Sequence, residues 1–318
     1  MHDFPTASKA DWLARVEKEL KGKPLASFDR TLANGQTISP FADRSDLPEA
    51  PERPFVGTDP TWTTGVTLTV SDAAASNREM LALLNNGAGA VHLIFSDIPD
   101  FTVLFAGVQC AWVRWYFTLG ATVEPVLFVQ EWHAHLGDKR AETRYYFTNR
   151  QIGSRHFSND DAHIIAEIAD YRAALARTSD LDHTHLSATV SDQYLLSIAK
   201  LRAINVLYQR RRAALNLPPA RPHLTVEVGP ETYIDDENTN KIRATAHAMA
   251  AVVGGASVVF VHPSDATAAG EGSAFNRRIS LNVQHLLQME SYLDRVGDPA
   301  AGSYYLEALT AKLLVEKN

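Results

Sequence analysis

The twelve histidines of this sequence are the first side chains to consider for metal binding or acid–base chemistry. His133 and His135 stand two residues apart in a segment with helical periodicity, and that spacing directs them to different faces of a helix. His183 and His185 would share one face of an extended strand, but no third ligand follows either pair at a natural spacing. The sequence therefore predicts no metal site.

The single cysteine, Cys110, is the other side chain with intrinsic reactivity, and it stands in the apolar stretch from Val108 to Val113. This setting predicts a small buried side chain rather than a nucleophile, and one cysteine excludes an intrachain disulfide. The sequence contains no G-x-S-x-G, no G-x-x-x-x-G-K-[ST], and no G-x-G-x-x-G after a strand. These absences argue against a serine-hydrolase elbow, a P-loop and a dinucleotide-binding turn.

Composition places the chain among ordinary globular proteins. Its 318 residues are 45% hydrophobic and 21% charged, which is enough for one large α/β domain or two modest ones. A net charge of −7 gives no basic face for nucleic acid. No run is long and apolar enough for a membrane span, and the first residues do not form a signal peptide, so we expect a soluble cytoplasmic protein.

One basic run, Arg210 to Arg212, follows the apolar stretch from Ala203 to Tyr208. Cations suit the C-terminal end of a helix, where the helix dipole is negative, so the run is typical of a solvated helix end. A contact with a phosphate group is the alternative interpretation.

Two regions differ in pattern and predict two parts of the chain. Residues 1–60 hold one amphipathic stretch, Ala10 to Leu20, and then a proline-containing segment that favours an extended arm. The arm either wraps a partner or packs on its own domain. Residues 61–318 alternate short β-rich runs with helical stretches, the pattern of a parallel sheet with crossover helices.

The eight β-rich runs predict an α/β fold, a (β/α)₈ TIM-type barrel with an N-terminal arm, and a doubly wound open sheet is the rival. The fourth and fifth strands are crowded, because the residues between them leave no room for a crossover helix. We therefore expect a barrel that is trimmed at this point. The predicted strands are Val66–Val70, Val91–Phe95, Val113–Leu119, Tyr145–Thr148, Ile152–Phe157, Leu186–Val190, Leu224–Val228 and Val258–Val261, and the predicted helices begin near residues 74, 122, 161, 192, 238, 275 and 303.

The last third of the chain carries a series of motifs in a fixed order. Asn240-x-x-Arg243-x-Thr245 precedes the helix that ends at Gly254-Gly255, and Arg278-Ile279-x-x-Asn282 follows. The series closes with Asp298-Pro299-x-x-Gly302-Ser303-Tyr304-Tyr305-x-Glu307-x-Leu309-Thr310. With Ile198 to Ala203, this series resembles the barrel of the methylmalonyl-CoA mutase family, and Gly254 to Val259 is similar to the small-subunit (beta) type. Without the family, Arg278 and Asn282 would anchor backbone carbonyls from one helix face, and Glu290 would pair with one of them or with Arg243.

The same resemblance, extended upstream from Trp62 and Asn77, places departures at positions that face substrate in active members of the family. Gly65 stands where the family has an arginine, and Thr67 stands where it has the tyrosine associated with radical control. A glycine supplies no cation and a threonine supplies no phenol. The family's CoA-contacting residues between the third and fifth strands also have no counterpart in residues 120–150.

Four further positions are the site candidates that the resemblance implies. Arg155 replaces a family tyrosine, and His156 matches the family histidine that donates to the thioester carbonyl, a role that stabilises developing charge. At the sixth strand, His185 replaces a family arginine and Ser187 is retained. We expect substrate contacts, if any are retained, at Arg155, His185 and Ser187, with His156 as the one candidate acid.

The family's cobalamin-binding domain, with its D-x-H-x-x-G motif, has no counterpart after Thr310, and the string Glu131 to Gly137 fails the required spacing. The resemblance therefore implies a non-catalytic small subunit that binds no cofactor alone. It would pair with a homologous catalytic chain that binds adenosylcobalamin, or form a homodimer without it. The alternatives are an acyl-CoA-binding barrel that recruits a separate cobalamin-domain chain, and an assembly module without turnover.

Overall fold

The computed structural model describes residues 8–47, 49, 51–148, 151–153, 160–267 and 272–316. Within those ranges, no helix has the length and apolar character needed to cross a membrane.

Eight parallel strands form one sheet, and their order is that of a barrel. The fold is therefore α/β, as the alternation of β-rich and helical runs predicts. Its strands are β3 (Thr63–Val70), β4 (Ala90–Phe95), β5 (Arg114–Leu119), β6 (Arg144–Phe147), β7 (Ile152–Gly153), β8 (His185–Thr189), β9 (His223–Val228) and β10 (Val258–Val261). They are hydrogen-bonded in the order β6-β5-β4-β3-β10-β9-β8-β7, so the first and last strands of the series, β3 and β10, are neighbours.

The barrel has a seam between β6 and β7. No ladder joins these two strands in the described part of the chain. Only four residues, 148–151, separate them, whereas a parallel crossover takes a dozen or more. The seam lies where the sequence predicts crowding. The predicted strand 152–157 is present at Ile152–Gly153, and its remainder lies outside the described residues.

Helices cover the outside of the sheet, and polar caps begin most of them. Asp72, Ser273 and Ser303 each accept a hydrogen bond from a backbone N–H of the first turn that follows. Two predicted helix ends carry glycines in the left-handed region, Gly87 at φ +93° and Gly255 at φ +98°. The helices are α1 (Lys9–Glu19), α2 (Ala73–Asn85), α3 (Phe101–Leu104), α4 (Pro125–Leu136), α5 (Asp161–Arg177), α6 (Tyr194–Ala214), α7 (Glu237–Val253), α8 (Ala274–Met289) and α9 (Tyr304–Leu313).

The arm packs on its own barrel. The side chain of Asn205 on α6 accepts from the backbone N–H of Phe55 and donates to its carbonyl, at 3.1 and 3.0 Å. Arg221 donates to the carbonyls of Asp59 and Thr61. Farther back, the arm holds a short antiparallel pair, β1 (Arg30–Thr31) and β2 (Thr37–Ile38). Of the two roles open for the arm, its described contacts favour packing on its own domain.

The motif residues of the last third form a buried ionic network. Arg202 on α6 is fully buried and pairs with Asp298, while its second terminal nitrogen lies 3.6 Å from Glu307. Glu307 in turn accepts from the backbone N–H of Gly302 at 3.1 Å. One arginine thus joins the start of the closing motif to α9, because a buried charge requires nearby opposite charges.

The expectation for Arg278, Asn282 and Glu290 was wrong. All three side chains are exposed to solvent rather than buried in a network. Arg243 instead donates to Asp192 at 2.6 Å. The basic run lies in the last turns of α6, where Arg210 and Arg212 pair with Glu52 and Asp182 and Arg211 donates to the carbonyl of Thr178.

Candidate functional site

The centre of the barrel is filled by aromatic rings. Tyr116 on β5 lies parallel to Tyr146 on β6, with ring centroids 5.2 Å apart. Tyr146 stacks on His223 of β9 at 4.3 Å, and Phe260 of β10 packs edge-on against Tyr116 at 5.1 Å. Because β6 and β9 are five places apart in the sheet, the contact between Tyr146 and His223 requires the sheet to curl around the rings. We call Tyr116, Tyr146, His185, His223 and Phe260 the lumen cluster.

Burial controls the ionisation of the lumen cluster. Desolvation, followed by the nearby His185, Arg114 and Arg144, lowers the pKa of His223 from 6.5 to about 3. Its Nε2 lies 2.9 Å from the hydroxyl of Tyr116, whose own pKa burial raises well above 10. Both groups are therefore neutral near pH 7 and are joined by one hydrogen bond. A neutral stack of this kind fills space and is poorly suited to proton transfer.

A polar chain lies nearer the carboxyl ends of the strands, where barrel enzymes place their active sites. His92 on β4 is buried, and its Nε2 lies 2.8 Å from the hydroxyl of Thr118. That hydroxyl lies 2.7 Å from the hydroxyl of Thr148. On the other side of the ring, His92 Nδ1 is 3.7 Å from a carboxylate oxygen of Glu227. An imidazole between a carboxylate and a hydroxyl has the groups needed to hold a proton or a polar ligand.

Gly65 lies against the lumen cluster, and the geometry explains why it is glycine. A Cβ at this position would lie 2.5 Å from Cδ1 of Phe260 and 2.6 Å from the carbonyl oxygen of Val259. The side-chain amide of Gln284 holds the backbone of Gly65 through bonds of 3.2 and 3.0 Å. An arginine, the residue that the resemblance gives for this position, therefore does not fit beside Phe260.

Thr67 follows two residues later on the same face of β3 and is half-buried. Its hydroxyl is enclosed and has no hydrogen-bond partner in the described structure. Thr67 therefore lacks the phenol that the tyrosine of the family would supply at this position.

The two candidates on β8 are both buried. His185 belongs to the lumen cluster, and its Nε2 lies 2.8 Å from the hydroxyl of Thr225. Ser187 is two residues on, and its carbonyl accepts a hydrogen bond from the hydroxyl of Tyr171. The structure therefore brings Gly65 and His185 together around one set of rings. Arg155 and His156 lie outside the described residues, so their positions stay predictions.

A small basic cavity opens at the amino ends of the strands, below the lumen cluster. Its volume is about 230 Å³, and Arg114, Arg221 and His223 lie in its wall. Arg144 is paired in register with Arg114, and neither guanidinium has an ion-pair partner among the described residues. Asp59 also lies in the wall, so the two arginines of the lining, Arg114 and Arg221, leave it with a net positive charge that suits an anion.

Sequence reasoning missed Tyr116, Tyr146, His223, His92 and Glu227. The signal was alternation within each strand: Arg-x-Tyr-x-Thr occurs both from Arg114 and from Arg144, and His-x-Thr-x-Glu begins at His223. In a barrel, every second residue of a strand faces the interior, so these polar and aromatic positions share the lumen. Among the described residues, no group of three metal-ligating side chains converges on one point.

A family profile described as methylmalonyl-CoA mutase matches residues 165–318. This part of the sequence, a little under half of the chain, is therefore similar to the methylmalonyl-CoA mutase family.

Small subunits of methylmalonyl-CoA mutase are among the relatives. The small subunit from Streptomyces virginiae is 41% identical over 129 residues, which are 40% of this chain and 20% of that protein. The small subunit from Porphyromonas gingivalis is 23% identical over 388 aligned positions, which cover 97% of this chain and 61% of that protein. That alignment is longer than this chain, so the relative has residues at positions where this chain has none.

Mutases that are not described as small subunits match as well. The methylmalonyl-CoA mutase of Cereibacter sphaeroides is 31% identical over 186 residues, or 52% of this chain and 26% of that protein. The chain spans 21% of the length of a probable small subunit from Mycobacterium bovis. The family profile therefore covers the second half of the barrel, and the chain spans only part of the length of these relatives.

Proposed function

We propose that this chain is a non-catalytic, small-subunit-like component of an adenosylcobalamin-dependent methylmalonyl-CoA mutase, the type of enzyme that converts methylmalonyl-CoA to succinyl-CoA. The observation that supports this proposal is the lumen cluster. A barrel that holds a substrate needs open space at its centre, whereas five rings meet here with centroids 4.3 to 5.9 Å apart. The chemistry is therefore assigned to a partner chain.

The departures at Gly65 and Thr67 agree with that assignment. Loss of a cation and a phenol removes two substrate-facing groups of the family, and Phe260 occupies the space beside Gly65. At this position Phe260 packs against the backbone of the chain, whereas an active member of the family needs a surface that binds substrate. A rigid, filled barrel is suited to stabilising a homologous catalytic chain by association.

The proposal places no adenosylcobalamin on this chain, because the string from Glu131 to Gly137 lacks the spacing of the family's cobalamin-binding motif. The histidines nearest to a cobalamin-type string are on α4, where His133 lies 2.5 Å from the hydroxyl of Tyr145 and His135 stacks on Trp132. The contact with Tyr145 occupies one ring nitrogen of His133. We therefore place the cofactor on the partner chain, a homologous cobalamin-binding subunit.

Sedimentation velocity tests the association. The purified chain is mixed with a full-length methylmalonyl-CoA mutase catalytic chain from the same genome, at equal concentrations. We expect one complex of both chains, with mutase activity that is unchanged when His156 of this chain is replaced by alanine. Two separately sedimenting species would contradict the structural-subunit proposal, and loss of activity in the variant would show that this barrel takes part in catalysis.

A second candidate function is binding of an acyl-CoA by a barrel that recruits a separate cobalamin-domain chain. The basic cavity beside Arg114 favours it, because a guanidinium group without an ion-pair partner in the described structure suits phosphate. Titration with methylmalonyl-CoA distinguishes the two candidates. Binding that Arg114→Ala abolishes supports the second function, and no binding supports the first.

A further inference from the structure

The solvent side of α8 carries an exposed apolar surface. Six large apolar side chains along α7, α8 and the turn that follows α8 are between 55% and 72% exposed: Ile242, Phe275, Leu286, Met289, Tyr292 and Val296. Three of them lie on α8 itself, and α7 packs against α8. Single exposed apolar residues are normal on a protein surface, whereas a group of this size marks an interaction surface. We call the outer side of α8 from Phe275 to Met289 the α8 stripe.

The opposite side of α8 is anchored in the protein. Leu287 is buried in the core, and Gln284 is fully buried and bonds to the backbone of Gly65. Arg277 pairs with Glu79 on α2. The α8 stripe is therefore held in place before any partner binds, and such a surface loses little conformational freedom on association.

The α8 stripe is symmetric about its middle. Phe275, Asn282 and Met289 are seven residues apart, or nearly two helical turns, so they lie along one line of the helix. Asn282 is the midpoint and is exposed, and Leu286 lies beside the same line. A single asparagine on an apolar helix face fixes the register of a helix pair, because its amide requires a polar partner on the other helix. An apolar face with one central amide therefore fits a face of the same kind.

The charges of the α8 stripe favour an antiparallel partner. Arg278 lies before the midpoint and Glu290 directly after the helix, and both are exposed without an ion-pair partner among the described residues. Parallel packing of two such helices would place each charge at the level of an identical charge, which is unfavourable, whereas antiparallel packing separates the like charges. His285 does not add to this face, since its ring lies beside Gly87, where a Cβ would be 3.0 Å from it.

We propose that the α8 stripe binds the α8 stripe of a second copy of this chain, antiparallel and about a two-fold axis through Asn282. Phe275 of each copy then packs on Met289 of the other, and the two Asn282 amides lie face to face, where each can donate to and accept from its twin. Because the axis uses one patch on both copies, every favourable contact occurs twice. The six apolar side chains expose on the order of 600 Å² per copy, compared with about 800 Å² that each partner buries in a standard interface. This contact goes beyond the proposed subunit role and requires no catalytic chain.

Disulfide cross-linking tests the position of the axis. Asn282→Cys is combined with Cys110→Ala, so that the chain has one thiol, and oxidised glutathione accepts the electrons. A residue on a two-fold axis meets its own copy, and a disulfide requires Cα atoms about 4.4–6.8 Å apart. We expect a covalent dimer from this variant. Arg278→Cys in the same background is the matched control and should give at least about tenfold less, because four residues from the axis the two copies are ~12 Å apart along the helices.

Sedimentation velocity of the purified chain over a range of concentrations measures the strength of the contact. We expect a monomer–dimer equilibrium. Leu286→Arg places a charge from each copy near the axis and should weaken the dimer about 100-fold or more. Val126→Arg, at an apolar residue that is 63% exposed on α4, is the matched control and should leave the equilibrium unchanged. Both substitutions are at exposed side chains, and circular dichroism confirms the fold of each variant.

Three results would overturn the proposal. A chain that stays monomeric at every concentration would exclude the second copy. If Leu286→Arg then abolished binding to a mutase catalytic chain, the α8 stripe would belong to that chain and the proposed subunit role would stand. A dimer that Leu286→Arg leaves intact would place the contact on another surface, and equal cross-linking of Asn282→Cys and Arg278→Cys would identify random collisions rather than a two-fold axis.

Discussion

Replacing Gly65 with alanine tests the packing of the lumen most sharply. The new Cβ would lie 2.5 Å from Phe260 and 2.6 Å from the carbonyl oxygen of Val259, well inside van der Waals contact. Overpacking of this kind costs about 1–3 kcal/mol. The ring can rotate away, but the carbonyl is part of the β10 backbone, so we expect a loss near the upper end, about 2–3 kcal/mol.

The assay is equilibrium unfolding in urea, followed by far-ultraviolet circular dichroism. Phe260→Leu removes the nearest ring, so the double variant Gly65→Ala/Phe260→Leu should lose less than the sum of the single losses, by about 0.5 kcal/mol or more. Thr67→Val is the matched control on the same strand face. It removes a hydroxyl without a partner and should leave the free energy of unfolding unchanged or raise it by about 1 kcal/mol.

A loss below about 0.5 kcal/mol for Gly65→Ala would refute the packing of Gly65 against the lumen cluster, since surface changes have effects of that size. If the loss in the double variant equalled the sum of the two single losses, the contact between position 65 and Phe260 would be refuted as well. Both results would reopen the lumen as a binding space.

Three further predictions follow from buried groups. Arg202→Met leaves the carboxylate of Asp298 without its cation and Glu307 with only the half-exposed Arg53, and it should lower the free energy of unfolding by about 3–5 kcal/mol. Arg210→Ala, at an exposed pair, should cost no more than about 1 kcal/mol in the same urea assay. The pKa of His223 is depressed from 6.5 to about 3, so the unfolded chain binds the extra proton between these values, and stability is complete above pH 6.5 and is lost as the pH falls. The wild type should lose about 1.4 kcal/mol per pH unit more than His223→Gln in that window, measured by urea unfolding at each pH, and parallel pH profiles would rule the effect out. Burial raises the pKa of Cys110 to about 11, so an aromatic disulfide reagent at pH 8 should label it only after unfolding, and rapid labelling of the folded chain would show that the thiol is accessible.

The barrel could be predicted because each strand and helix has a recognisable pattern in its own residues. The strand Val258–Val261 was predicted with the bounds that the structure gives, since four apolar residues stand between a helix-ending glycine pair and a proline. The helix predicted from residue 275 begins at Ala274, one residue after its serine cap. The seam could be predicted as well, because the four residues between β6 and β7 are too few for a crossover helix.

The lumen cluster could not be predicted in the same way. Alternation shows that Tyr116 and His223 each face the inside of a barrel, but they are 107 residues apart, and their contact depends on how the sheet closes. The prediction that Arg278 and Asn282 anchor backbone carbonyls was wrong for a related reason. Helical spacing shows that two side chains share a face, but it does not show whether other residues cover that face. The four-residue helix Phe101–Leu104 and the two-residue strands of the arm are too short to leave a periodic signal.

Calorimetric titration of the purified chain with methylmalonyl-CoA and adenosylcobalamin, each alone and then together, tests the central claim most directly. A filled lumen predicts no heat of binding from either ligand or from the pair. Saturable binding of methylmalonyl-CoA that is lost in His156→Ala would contradict the claim and identify this chain as a working barrel.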